Sequence, residues 1–118
     1  MIAAGATHIC MIISPEKDDL VRYYAERSYA AEIFCAVQRH PRGLCDALFR
    51  AANFADAHSQ VLIGLADTVW FPENACSSAL DPVHSADVNL ILFPTENPSA
   101  FDAVTCDSQN FVTGGVKR

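Results

Sequence analysis

Apolar residues along this chain come in short unbroken blocks, separated by stretches where they recur every three or four positions. "HICMIIS" (8–14) is continuous and β-branched, the pattern of a strand buried on both faces. "SPEKDDLVRYYAER" (14–27) then switches to helical spacing, with Leu20, Val21 and Tyr24 on one face. Ser14 is placed to cap that helix and Pro15 to occupy its first position. Glu16, Asp18 and Asp19 complement the positive end of its dipole. "AEIFCAVQ" (31–38) predicts a second strand. "PRGLCDALFRAANFA" (41–55) predicts a second helix with Leu44, Leu48 and Ala51 inward, and "SQVLIGLAD" (59–67) a third strand.

Strands alternating with helices over short connections predict a parallel sheet with right-handed crossovers. Beyond Asp67 the pattern loosens. "FPENACSSALDPVHSA" (71–86) is loop with a short helical piece, and "DVNLILFPTE" (87–96) reads as another strand. "FDAVTCDSQNFVTGGVKR" (101–118) reads as a hairpin turning near Asp107–Asn110. The expected fold class is α/β: a Rossmann-like, mostly parallel sheet flanked by helices, forming one partial domain over residues 1–118. The sequence opens almost on its first strand and stops at its last, so both ends read as cut.

Composition narrows the functions. Hydrophobic residues make up 51% of the 118, enough for a core, and the formal net charge is −6. That acidity disfavours nucleic acid, whose binding needs clustered cations, and requires a cation or backbone N–H groups to offset any phosphorylated ligand. The five cysteines (Cys10, Cys35, Cys45, Cys76, Cys106) form no CxxC, which suits a reducing cytoplasm better than a zinc site or disulfide framework. No signal peptide is legible, and no segment approaches the ~18 apolar residues of a membrane span. A soluble cytoplasmic protein is expected.

In open parallel sheets ligands bind at the carboxyl ends of the strands. Gln38 ends the second predicted strand and Asp67 the third, while Gly43 just past Gln38 allows close backbone approach at a helix start. A Gln amide offers a donor and an acceptor to a base edge, and a strand-end carboxylate can hold Mg²⁺. Each residue also has an ordinary role: Asp67 as a cap or turn residue, Gln38 as a polar strand end, Gly43 as a turn glycine. The four histidines show no ligand spacing. Arg39 and Arg42 flank the site as surface charges, and Trp70 and Phe71 suit a core.

Four stretches carry a family resemblance: "GATHICMIISPEKDDLVRYY", "VQRHPRGLCDALFRA", "VLIGLADTVWFPENA" and "LILFPTENPSAFDAVTCDSQNFVTGGVK". In order and spacing the chain resembles sugar-phosphate nucleotidylyltransferases, most closely glucose-1-phosphate thymidylyltransferase-like (dTDP-glucose pyrophosphorylase) proteins. The resemblance implies formation of a nucleoside-diphosphate sugar and pyrophosphate from a nucleoside triphosphate and a sugar 1-phosphate, with Mg²⁺. It assigns Gln38 and Gly43 to the base, Asp67 to the metal and Lys117 to the sugar phosphate.

The sequence departs from the family in three places. It has no GxGTRL-type triphosphate loop, and the carboxylate that completes the family's metal site is expected beyond Arg118. Val116-Lys117-Arg118 stands where the family has Glu-Lys-Pro. The chain alone is therefore expected to be inactive. The alternatives are a non-catalytic nucleotide-binding or subunit-interaction module of the same fold, and a glycosyltransferase, which Asp67-Thr68-Val69 disfavours by lacking a second Asp. An open sheet edge makes a homo-oligomer an expected partner state.

Overall fold

The computed structural model describes residues 1–55, 60–80 and 86–116. They fall into two compact units, Met1–Asp87 and Val88–Arg118.

In the first unit, β1 (His8–Ile13) and β2 (Glu32–Val37) pair in parallel, with His8 opposite Glu32 and Ile13 opposite Val37. The connection carries α1 (Asp18–Ala25). This helix starts later than expected: the Lys17 N–H donates to the Ser14 carbonyl (3.2 Å), so Ser14 and Pro15 begin a turn. The expected Ser14 cap and Pro15 helix start are thus corrected: proline's fixed φ suits the second position of a turn as well as the first of a helix, and here it takes the turn. Lys17 takes the N-cap position without a side-chain cap, and Asp18 and Asp19 in the first turn still oppose the dipole. Of the predicted inner face, Tyr24 is half-buried while Leu20 and Val21 are exposed. Tyr24 packs at 5.3 Å from Tyr23 and 5.4 Å from Tyr29.

The helix α2 (Leu44–Arg50) runs into a 3-10 turn, Ala52–Phe54. Phe54 packs on Phe34 of β2 at 5.1 Å, and Phe34 lies 6.1 Å from His8. Alternation places Ile9, Met11 and Ile33 on the opposite face. They line an open cavity of about 450 Å³ with Tyr24, Tyr29 and Trp70. Side chains from both helical segments thus approach opposite faces of the sheet, one of them across an open gap. This is the expected α/β architecture in a small form.

The predicted third and fourth strands do not form ladders: residues 60–65 and 88–95 are assigned to no strand. Val61, Ile63 and Leu65, like Val88, Leu90 and Phe93, are exposed. A continuous apolar run records a tendency to be buried, but a strand also needs a neighbouring edge. Among the described residues only Ile13, Ala31 and Cys76 form a buried apolar core, so most of the apolar surface has no cover. No described helix is long and apolar enough to cross a membrane.

In the second unit, β3 (Ala103–Cys106) and β4 (Val112–Val116) form the expected antiparallel hairpin. Its turn is built by Asp107, whose Oδ1 accepts the N–H groups of Gln109 and Phe111, both at 2.9 Å. Asn110 follows in the left-handed region at φ 64°, a conformation Asn tolerates. Asp107→Ala removes both bonds and is expected to cost about 1–2 kcal/mol of hairpin stability. Faster hydrogen exchange at the Gln109 and Phe111 amides would report it.

Candidate functional site

The first candidate residue is fixed by the ladder itself. The Gln38 N–H donates to the Ile13 carbonyl at 2.8 Å, extending the β1–β2 pairing one residue past the strand end. Its side chain is then held from the next helix: Gln38 Nε2 donates to Asp46 Oδ2 at 2.7 Å. An ionised carboxylate only accepts, so the amide nitrogen must face Asp46. One N–H and the carbonyl oxygen of Gln38 stay available to a ligand.

Asp46 is the third residue of α2, a position from which acidic side chains commonly reach back over a helix start. Its other oxygen meets Arg50 Nη2 at 3.3 Å, one turn along. The Gln38 hydrogen bond, helped by the Arg50 and Arg42 charges, holds the Asp46 carboxyl below its ordinary value of 3.8, against a smaller upward push from desolvation. A depressed folded value stabilises the fold above the ordinary carboxylate pKa, and that contribution is lost as pH falls through the folded value. Wild type is therefore expected to lose stability more steeply than Asp46→Asn below about pH 4. Parallel thermal-unfolding curves against pH would measure this.

Gly43 is the N-cap of α2, with φ 99° and ψ 178°, a region essentially confined to glycine. A Cβ built there would meet nothing within 4 Å, so the glycine is required by the backbone and the space in front of it is open. Gln38, Gly43 and Asp46 form one strand–loop–helix junction.

Asp67 stands elsewhere in the first unit. It lies in an exposed turn closed by the Thr68 N–H donating to the Leu65 carbonyl at 3.1 Å. Among the described residues no hydrogen bond or ion pair joins it to Gln38 or Gly43. Nor does any group of three or more His, Cys, Asp or Glu side chains there form a metal cluster. A lone exposed carboxylate matches the smallest protein donor set for Mg²⁺, the remaining ligands being water and phosphate. The segment before Asp67 is anchored by Gly64, where a Cβ would lie 2.8 Å from both Met1 Cε and Trp70 Cη2. Lys117 lies outside the described residues.

Sequence reasoning missed Asp46 and Gly64. Each left a signal: an acid at the third position of a helix, and a glycine interrupting an apolar run, which marks close approach. The cavity beside Trp70 contains none of Gln38, Gly43 or Asp67. Its walls are mainly apolar, and it is a gap in the packing over one sheet face.

No curated protein and no solved structure matches the chain. A family model for nucleotidyl transferases matches residues 1–116, nearly the full length, and the small α/β fold described above is consistent with it. By that match the chain belongs to the nucleotidyl transferase family.

Proposed function

We propose that this chain is the base-binding and metal-binding part of a sugar-phosphate nucleotidylyltransferase of the glucose-1-phosphate thymidylyltransferase-like group, working on soluble nucleotides in the cytoplasm. The observation that carries the reading is the junction at the carboxyl end of β2. There a positioned Gln38 amide and the open backbone at Gly43 face the same helix start. The free carbonyl and N–H of Gln38 match the acceptor–donor edge of a pyrimidine base.

In the family reaction a sugar 1-phosphate oxygen bonds to the α-phosphorus of a nucleoside triphosphate, and the bond to pyrophosphate breaks. Such a transfer depends on positioning and charge neutralisation. Asp67 would hold Mg²⁺, whose charge would let an acidic protein accept a triphosphate. Lys117 is the family position for the sugar phosphate.

The sequence has no GxGTRL-type loop to cradle the triphosphate, so binding without turnover is the expected behaviour of this chain alone. A second reading is a non-catalytic nucleotide-binding or subunit-interaction module of the same fold, which would use the same Gln38–Gly43 junction. Calorimetric titration with dTTP, UTP, GTP and CTP tests the base assignment. A preference for one pyrimidine nucleotide that Gln38→Ala abolishes supports it, and equal binding of all four by wild type and variant contradicts it.

A further inference from the structure

The carboxylate beside Gln38 decides which way round its amide can stand. A glutamine amide left to itself can be turned over: a half-turn about the last side-chain bond exchanges the oxygen acceptor for the nitrogen donor at little cost. Gln38 lacks that freedom. Its Nε2 donates to Asp46 Oδ2 at 2.7 Å, a short contact for a nitrogen donor and one made to a charged acceptor. Turning the amide over would set its oxygen against a carboxylate oxygen, two acceptors with no proton between them.

Both ends of this contact are held by backbone. The Gln38 N–H is fixed to the Ile13 carbonyl at 2.8 Å, and the first turn of α2 is closed by the Ala47 N–H on the Gly43 carbonyl at 3.2 Å. The carboxylate is steadied in turn, because Arg50 Nη2 lies 3.3 Å from Asp46 Oδ1 and leaves Oδ2 to the glutamine. The Gln38–Asp46 bond is partly buried, whereas the Arg50–Asp46 contact is exposed, so water competes less for the glutamine. The same bond is the largest influence holding the Asp46 carboxyl below its ordinary value, which keeps the acceptor ionised at neutral pH.

A locked amide reads only one sense of a base edge. Uracil and thymine carry the O4 acceptor beside the N3–H donor, while cytosine carries the N4 amino donor beside an N3 acceptor. The two edges are opposites. For bases seated in the same pose, one orientation of Gln38 makes two hydrogen bonds to one class and sets like against like in the other.

We propose that Asp46 is the positioning residue for base selection: by holding Gln38 Nε2 it fixes the sense of the amide, so that the site takes keto pyrimidines (uracil, thymine) and rejects cytosine. The keto class rests on the reading of Gln38 as the base contact of a thymidylyltransferase-like chain. The fixed sense rests on the Gln38–Asp46 geometry alone, and Asp46 acts through Gln38.

Calorimetric titration of the full chain in Mg²⁺ with two matched pairs, UTP against CTP and dUTP against dCTP, isolates this edge. The members of each pair differ nowhere else. Wild type is expected to bind the keto member about tenfold or more tightly. Asp46→Asn keeps the shape of the side chain but can offer Gln38 either an oxygen or an N–H, so both senses become open. The ratio is then expected to fall below about threefold. A purely structural role for Asp46 would weaken both members alike and leave the ratio unmoved. An Asp46→Asn ratio equal to that of wild type, or a wild type that binds the cytosine member equally or better, would overturn the proposal while leaving nucleotide binding intact. Binding of no nucleotide by a folded chain would remove the base-contact reading itself, and the proposal with it.

Discussion

Gly43→Ala is expected to lower stability by about 2–3 kcal/mol without creating a single steric contact. The position combines φ 99° with ψ 178°, and an added Cβ would meet nothing within 4 Å, so the whole cost lies in the backbone. Replacing Gly43 by D-alanine in a synthetic chain provides the control. Its preferences mirror those of the L residue, and the inverted angles fall in the ordinary β region. Thermal unfolding should therefore show a large fall with L-alanine and recovery with D-alanine. Gly5, at φ 89° and ψ 12°, sits in the left-handed helical region, where alanine costs only about 1–2 kcal/mol. If Gly43→Ala unfolded like wild type, the junction would not hold the conformation described here. The open space in front of Gly43, on which the proposed base site relies, would then lose its support.

The second large effect is steric. Gly64→Val is expected to cost about 1–3 kcal/mol, because its Cβ alone would stand 2.8 Å from Met1 Cε and from Trp70 Cη2. The methionine tip can swing away, but the indole is a rigid plate and must move as a whole. For a chain of this size the change corresponds to a fall in Tm of roughly 4–15 °C. Gly64→Ala should fall between wild type and the valine variant, and Gly64→Val with Trp70→Leu should recover part of the loss through coupling. A valine variant with unchanged Tm would show that Trp70 does not close over the segment leading to Asp67.

Much of the architecture could be read from the pattern of residues. The block 8–14 became β1 at His8–Ile13, and 31–38 became β2 at Glu32–Val37. The turn at Asp107–Asn110 joins β3 and β4 because Asp and Asn have local hydrogen-bonding habits that act without tertiary help. The segments 61–65 and 88–93 look equally strand-like, yet form no ladder. Local composition cannot specify an edge, and the described residues present none that they occupy.

The candidate site divides in the same way. Gln38 and Gly43 were legible because a strand end and a helix start impose their own geometry. The Gln38–Asp46 bond was not, since it depends on how residues 39–43 return the chain onto itself. Asp67 was legible as a strand-end carboxylate, and the structure puts it on an exposed turn instead of a strand terminus. The resemblance to the family was read from the order of several stretches, beyond what any single motif or spacing supplies, and membership rests on the family-model match over residues 1–116.

Nucleotide binding is the central claim, and thermal unfolding with dTTP, UTP, GTP and CTP, each with and without Mg²⁺, tests it most directly beside Asp67→Asn. A nucleotide at a hundred times its dissociation constant stabilises by about 2.7 kcal/mol. The account predicts a Mg²⁺-dependent rise in Tm with one pyrimidine nucleotide, lost in Asp67→Asn. A cooperatively folding chain whose Tm no nucleotide moves, with or without Mg²⁺, would contradict it.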